Sequence, residues 1–136
     1  MRLFVYGTLE PGGGTAMGDW IAERLVGSRQ ACAPGRLHGI PAVGAWYPAL
    51  TRGAGWVRGT LCDLRLRPGD LARLDRYEGR EYRRIASPVR TASGRVIAQL
   101  YLWRIALPDG APVIADGDFP GWLRGNRLRA YGLSGT

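Results

Sequence analysis

One carboxylate stands where a side chain can do proton chemistry. In Pro68-Gly-Asp-Leu-Ala-Arg-Leu-Asp-Arg-Tyr-Glu78, Pro68 and Asp70 can start a helix and Gly79 can stop it. On a period of about 3.6 residues, Leu71, Leu74 and Glu78 share one face, and Arg73 and Arg76 take the opposite one. The apolar face belongs to the core, so Glu78 is carried inward with it. Burial and the negative end of the helix dipole both raise a carboxyl pKa. A carboxylate so raised suits a general base near neutral pH. The competing reading lets Glu78 fray outward at the helix end. Glu81 follows Gly79, outside the helix, where burial is less expected. Asp75 lies at the edge of the face and reads as a hydrogen-bond anchor or as the ion-pair partner of a nearby Arg.

The second stretch with chemical potential is Gly7-Thr8-Leu9. Arg2 to Tyr6 is a short apolar run and reads as a buried first strand. A loop leaving such a strand presents backbone N–H groups able to hold a carboxylate or an oxyanion. Glu10-Pro-Gly-Gly-Gly14 then reads as a mobile loop. A phosphate loop of the Walker type needs a Lys, and the chain has none. His38 is the only histidine. With no second His for a metal and no Gly-x-Ser-x-Gly for a hydrolase triad, its expected role is structural. Cys32 and Cys62 show neither metal spacing nor a Cys-x-x-Cys pattern, and are expected as buried, reduced thiols.

The remaining elements must position these residues. Thr15 caps a helix expected over 16–26, with Trp20, Ile21 and Leu25 inward and Gly27 at its end. Gln30 to Cys32 and Arg36 to Gly39 read as a strand broken at Pro34-Gly35. Ile40 to Trp46 reads as a connection, Tyr47 to Leu50 as a short strand or a loop wall, and Gly55 to Leu66 as a strand. Glu81-Tyr82-Arg83-Arg84 follows the Glu78 helix. Ile85 to Thr91 and Val96 to Ile105 form a hairpin across Ala92-Ser93-Gly94, with Leu100, Leu102 and Ile105 among its apolar positions. Pro108-Asp109-Gly110 is a turn. Residues 111–136 read as irregular, with Asp116 to Trp122 either a capped helical turn over the site or part of a tail. Strands outnumber two isolated helices, which gives an α+β fold: a curled mixed sheet or small β-barrel with flanking helices.

The chain has 136 residues, which fits one domain spanning 1–136 with its own core. No run of about 18 apolar residues exists to span a membrane, and the apolar run at 3–6 is too short for a signal peptide. A cytoplasmic protein is expected. The net charge is +8; every cation is Arg, and with the many Gly and Ala this suggests a GC-rich, bacterial genome. The Arg residues are scattered, where a nucleic-acid surface gathers them in a patch with aromatic platforms. The charge therefore reads mostly as a solvated surface that could also steer a small anionic substrate, with an anionic macromolecular partner as the lesser reading.

Three separated pieces resemble one family: Phe4-Val-Tyr-Gly-Thr-Leu9; Tyr47-Pro-Ala-Leu50 with Val57-Arg-Gly-Thr-Leu61; and Leu74-Asp-Arg-Tyr-Glu-Gly79 with Tyr82-Arg-Arg84. The chain resembles the γ-glutamylcyclotransferase-like superfamily, on the side of the γ-glutamylamine cyclotransferases and the avirulence-induced-gene-like proteins. The resemblance runs over about residues 3–105. It implies a small barrel, a substrate loop at Tyr6, Gly7, Thr8 and Leu9, and Glu78 as general acid and base. Relatives often follow the loop with a basic residue and an Asn; here Glu10 and Gly12-Gly13-Gly14 intervene. The implied enzyme, of the transferase or lyase class, cyclises the γ-glutamyl group of a small-molecule amide to 5-oxoproline and releases an amine. That reaction needs no metal and no cofactor. Backbone amides of Gly7 to Leu9 would hold the α-carboxylate or the oxyanion. Tyr6 and Tyr82 would offer hydroxyl contacts, with core packing as the plainer role for Tyr82. The alternative is a non-catalytic, small-molecule-binding or accessory member of the same fold.

Overall fold

The computed structural model describes residues 1–131. Five strands, β1 (Arg2–Val5), β2 (Leu25–Ala42), β3 (Ala45–Leu64), β4 (Tyr82–Thr91) and β5 (Gly94–Trp103), close a barrel in the order β1-β3-β2-β4-β5. The pairings are antiparallel except where β1 meets β5, in parallel, at Leu3 and Gln99. Helices α1 (Ala16–Glu23), α2 (Asp70–Glu78) and α3 (Phe119–Gly125) flank it. The α+β barrel expected from the sequence is the fold observed.

Barrel closure explains the unbroken apolar run of β1. Phe4 and Tyr6 point into the interior with Leu61, Val89 and Leu100. Leu3 and Val5 point outward and are covered by Met17, Trp20 and Ile21 of α1 and Leu74 of α2. A strand buried on both faces has no polar positions to alternate with. Small side chains, Ala31, Ala33 and Ala98, make room inside for Phe4 and for Phe119, both almost fully buried.

The expected break at Pro34-Gly35 is a bend within one strand. The register slips between Pro34 and Arg36, and Gly35 has φ +146°. Below the bend, β2 and β3 belong to the barrel wall. Above it, Arg36 to Ala42 pairs with Ala45 to Thr51 as a two-stranded arm. This arm carries Tyr47 and Pro48 to the end of the barrel where Glu78 lies.

Several local expectations are corrected. The first helix stops at Glu23, not at 26, because Leu25 pairs with Leu64 and Arg65 N–H donates to the Arg24 carbonyl. Sheet pairing outweighs the helical period there, and Gly27 sits at a strand irregularity rather than at a helix end. Ile40 to Trp46 is no connection: the ladder runs to Ala42 and resumes at Ala45, around a two-residue turn with Gly44 at φ +68°. β4 begins at Tyr82, ahead of the expected Ile85, and Ile105 lies beyond β5 and is exposed. The region 111–136 is not wholly irregular, because it contains α3. Asp118 caps that helix by accepting from Gly121 N–H at 3.1 Å, and Phe119 and Leu123 plug the barrel interior. The cap was legible, but the helix stands away from Glu78. The last five residues of that stretch, 132–136, lie outside the described residues.

Among the described residues, no helix is long and apolar enough to cross a membrane. The approach of β1 to β3 depends on Gly59, where an added Cβ would meet the Val5 carbonyl oxygen at 2.2 Å. Gly59→Ala is expected to lower the unfolding free energy by about 1–3 kcal/mol, read from urea titration. Wild-type stability in that variant would mean that the two strands are farther apart than described.

Candidate active site

Helix α2 is pinned along its length. Gly69 provides its left-handed start, with φ +88°. The Asp70 carboxylate accepts from Arg67 N–H and from Arg24 Nε, each at 2.8 Å. Arg24 beside it, then the Arg67 amide, hold the Asp70 carboxyl below its ordinary pKa. One turn on, Leu74 is fully buried against β1 and α1. Asp75 accepts from Tyr101 Oη at 2.7 Å and from Arg84 Nε at 3.0 Å. Asp75 is thus the anchor expected of it. Gly79, at φ +80°, ends the helix by donating to the Asp75 carbonyl.

Glu78 is delivered inward, on the Leu74 side, as the periodicity requires. It does not fray. Its carboxylate has neither a hydrogen-bond nor an ion-pair partner among the described residues. The residue is half-buried and lines both a pit beside loop 6–9 and a wider cleft. Burial alone pushes its pKa up to about 8.

Facing it is the loop 6–9, held from several directions. Glu10 N–H donates to the Gly7 carbonyl at 3.0 Å, and Thr15 Oγ1 donates to the Thr8 carbonyl. Tyr77 Oη donates to Thr8 Oγ1 at 3.3 Å. Leu9 is buried among Trp20 and Ile21. At Gly7 an added Cβ would fall 2.2 Å from Pro48 Cγ, so only glycine lets the arm close on the loop. Among the described residues, the amides of Gly7, Thr8 and Leu9 find no backbone carbonyl.

Glu78, loop 6–9, Pro48, Tyr82 and Tyr101 enclose a pit of about 20 Å³, room for about one water molecule. Thr8, Glu78 and Tyr82 also line an adjoining cleft of about 250 Å³, whose walls include Tyr47, Tyr77, Glu81 and Tyr131. All six residues expected at the site, Tyr6, Gly7, Thr8, Leu9, Glu78 and Tyr82, therefore come together. The two tyrosines do so differently from the expectation. Tyr6 Oη donates to the Tyr101 carbonyl and Tyr82 Oη to the Pro48 carbonyl. Their hydroxyl protons brace the walls, and burial first raises both phenol pKa values.

Sequence reasoning missed Tyr101, Tyr77 and Tyr131. Tyr77 precedes Glu78 and so lies within reach of the same cleft, a signal that was present. Tyr131 arrives only through tertiary pairing: Trp46 N–H donates to the Arg129 carbonyl and Tyr131 N–H to the Trp46 carbonyl. Glu81 lies outside the helix, as expected, and shares the cleft with Glu78. Glu10 turns away: its carboxylate accepts from Thr60 Oγ1 at 2.7 Å and lines a separate cleft with Arg58, Arg90 and Asp118. Cys32 lies in that second cleft and is half-buried, not buried as expected, because its part of β2 faces outward beside Arg90. Cys62 is buried, and burial pushes its thiol up to about 12. His38 is buried on β2 outside both clefts, and burial lowers its pKa.

Comparison with known proteins reaches most of the chain. The family model described as gamma-glutamyl cyclotransferase, AIG2-like, matches residues 3–123. Among solved structures, an AIG2-like protein from Mus musculus is 20% identical with a TM-score of 0.69, over 99% of this chain and 97% of that one. The uncharacterized protein PH0828 from Pyrococcus horikoshii is 21% identical with a TM-score of 0.64, over 93% and 96%. YkqA from Bacillus subtilis is 22% identical with a TM-score of 0.69 over 93% of this chain, which spans only 42% of YkqA. At these identities the likeness is one of fold. No curated protein matches the chain.

The pKa of Glu78 has a consequence for stability. The folded state holds this proton up to about pH 8, and an unfolded Glu releases it near about pH 4.3. Between these values the unfolded state binds fewer protons, so stability falls as pH rises, then levels off above the folded pKa. Wild type is expected to lose up to a few kcal/mol relative to Glu78→Gln across that window. Paired urea titrations at pH 4.5, 6 and 8.5 read the difference; parallel stability curves would place the titration of Glu78 near its ordinary value.

Proposed function

Since the chain belongs to the gamma-glutamyl cyclotransferase, AIG2-like family, we propose that it cyclises a γ-glutamyl amide to 5-oxoproline and releases the amine, with Glu78 as general acid and base. One observation carries this reading: an unpaired carboxylate with a raised pKa lines one small pit with a loop whose three backbone amides find no backbone carbonyl among the described residues. A binding protein would have no need of such a group and would gain from neutralising it with one of the chain's many Arg residues.

The chemistry needs little beyond these parts. Nucleophile and electrophile belong to one molecule, and holding the glutamyl chain folded brings the α-nitrogen to the γ-carbonyl carbon. Such preorganisation is worth up to about 7–11 kcal/mol in ideal cases. The α-amine arrives as an ammonium, and ionised Glu78 takes its proton. The freed nitrogen attacks, a C–N bond closes the five-membered ring, and the carbonyl oxygen gains charge. The amides of Gly7, Thr8 and Leu9 hold that oxygen or the substrate α-carboxylate. The pit above them is sized for such an oxygen, and the wider cleft takes the rest of the molecule. Protonated Glu78 then gives its proton to the leaving nitrogen as the original amide C–N bond breaks, and the surplus proton of the ring nitrogen passes to the released amine, which departs as an ammonium. Glu78 ends ionised, ready for the next substrate. A group with a pKa near 8 gives up a proton about as readily as it takes one, which suits both halves of the cycle. Tyr6 and Tyr82 act as rigid walls. We place this activity in the cytoplasm, on a small-molecule substrate.

Release of 5-oxoproline is the direct test, using γ-glutamyl-α-amino acids, ε-(γ-glutamyl)-lysine, glutathione and a γ-glutamyl alkylamine. Wild type is expected to turn over at least one of them. Glu78→Gln should be slower by about 10²–10⁴-fold with an unchanged circular dichroism spectrum. In wild type, kcat/KM should climb with pH up to about 8, as Glu78 ionises. Full activity in Glu78→Gln would remove Glu78 from the reaction.

A further inference from the structure

Cyclisation accounts for the inner part of the cleft but not for its outer wall. That wall is made by Tyr47, Tyr77, Tyr82 and Tyr131, with Glu81 among them. The chain carries 19 Lys and Arg against 11 Asp and Glu, yet the described residues lining this cleft include two carboxylates and no cation. Like Glu78, Glu81 has no ion pair or side-chain hydrogen bond among the described residues.

The aromatic groups around Glu81 are fixed in place. Tyr82 stands edge-on to Trp103, with centroids 5.2 Å apart, and its hydroxyl is tied to the Pro48 carbonyl. Tyr47 and Tyr131 meet at 67° with centroids 6.0 Å apart and form two adjoining walls. The backbone of Tyr131 is bonded to Trp46, and that of Glu81 accepts from Arg104 N–H at 2.8 Å. Tyrosine rings present a negative face, and several of them beside a carboxylate attract a cation. A carboxylate on the same portion of a ligand would meet Glu81 there and no cationic partner among the described lining residues.

We propose that Glu81, Tyr47, Tyr82 and Tyr131 form a subsite for the leaving group, selecting γ-glutamyl amides whose leaving portion carries a positive charge and no carboxylate, as in a γ-glutamyl diamine. The assignment of this subsite to a leaving group rests on the cyclotransferase reading. Glu81 is here a specificity-determining residue, outside the pit that Glu78 shares with loop 6–9.

The test uses three amides of matched length: γ-glutamylputrescine, γ-glutamylpentylamine and γ-glutamyl-aminovalerate, with cationic, neutral and anionic ends. Wild type is expected to prefer the cationic over the neutral compound by about tenfold in kcat/KM, with the anionic one poorest. In Glu81→Gln the cationic-to-neutral ratio should collapse toward unity. No cationic preference in wild type, or a ratio unmoved by Glu81→Gln, overturns the proposal. If none of the three releases 5-oxoproline, the cyclotransferase reading fails for this class. The subsite is then judged by NMR titration with N-acetylputrescine and N-pentylacetamide. Shifts at Glu81 and Tyr131 from the cation alone would uphold a cation-binding cleft, and equal or absent shifts would overturn it.

Discussion

Keeping an ionisable group inside protein without an opposite charge is costly, and the way this molecule does so organises its site. A free carboxylate relieves burial by swinging into water or by recruiting a cation. Glu78 is denied both. Leu74 one turn earlier commits that side of α2 to the core, and Asp75 locks the last turn through Arg84 and Tyr101. The cation nearest in sequence that bonds this helix end, Arg84, goes to Asp75 and leaves Glu78 unneutralised. The ion pair is therefore as much a device for diverting charge as for adding stability. At a half-exposed site its own contribution is about 1 kcal/mol or less.

The opposite wall obeys a steric constraint. Pro48 rests where a side chain on Gly7 would be, and Pro48 is there because the β2–β3 arm bends at Gly35. Two glycines far apart in the chain thus serve one closure: one permits the bend, the other the contact it produces. Tyr82 completes it by donating to the Pro48 carbonyl. Loop, arm and helix end are cross-braced by hydroxyl groups, which is why the tyrosines of this cleft work as struts.

Local rules read well where a feature was decided locally. Glu78 followed from helical spacing, the Thr15 cap from its residue type, and the strand break from Pro34-Gly35. They failed where distant pairing took over. Leu25 continues the period of α1 but is claimed by Leu64, and Ile40 to Trp46 has a loop's composition but a hairpin's pairing. Tyr131 could not have been placed from its neighbours, since only the arm brings it to the cleft. The sequence offers the hydroxyls of Tyr6 and Tyr82 to substrate, with core packing as the plainer role of Tyr82, because it cannot reveal that two carbonyls already accept from them. The fold and the inward placement of Glu78 were legible; the outer wall of the cleft was not.

The placement of β1 bears on how the chain reaches this state. Its four residues pair with Arg2 opposite Asp63 and Leu3 opposite Gln99. The strand that carries the candidate oxyanion loop is synthesised well before either partner. Until β5 is made, Leu3-Phe4-Val5 has only one edge satisfied and remains an apolar segment able to pair with another chain. Closure spans nearly a hundred residues and so comes late and slowly, as for other non-local β pairings. Chains interrupted before β5 are therefore expected to be sticky, and the assembly of the candidate oxyanion loop coincides with the moment at which the nascent barrel hides its most adhesive edge.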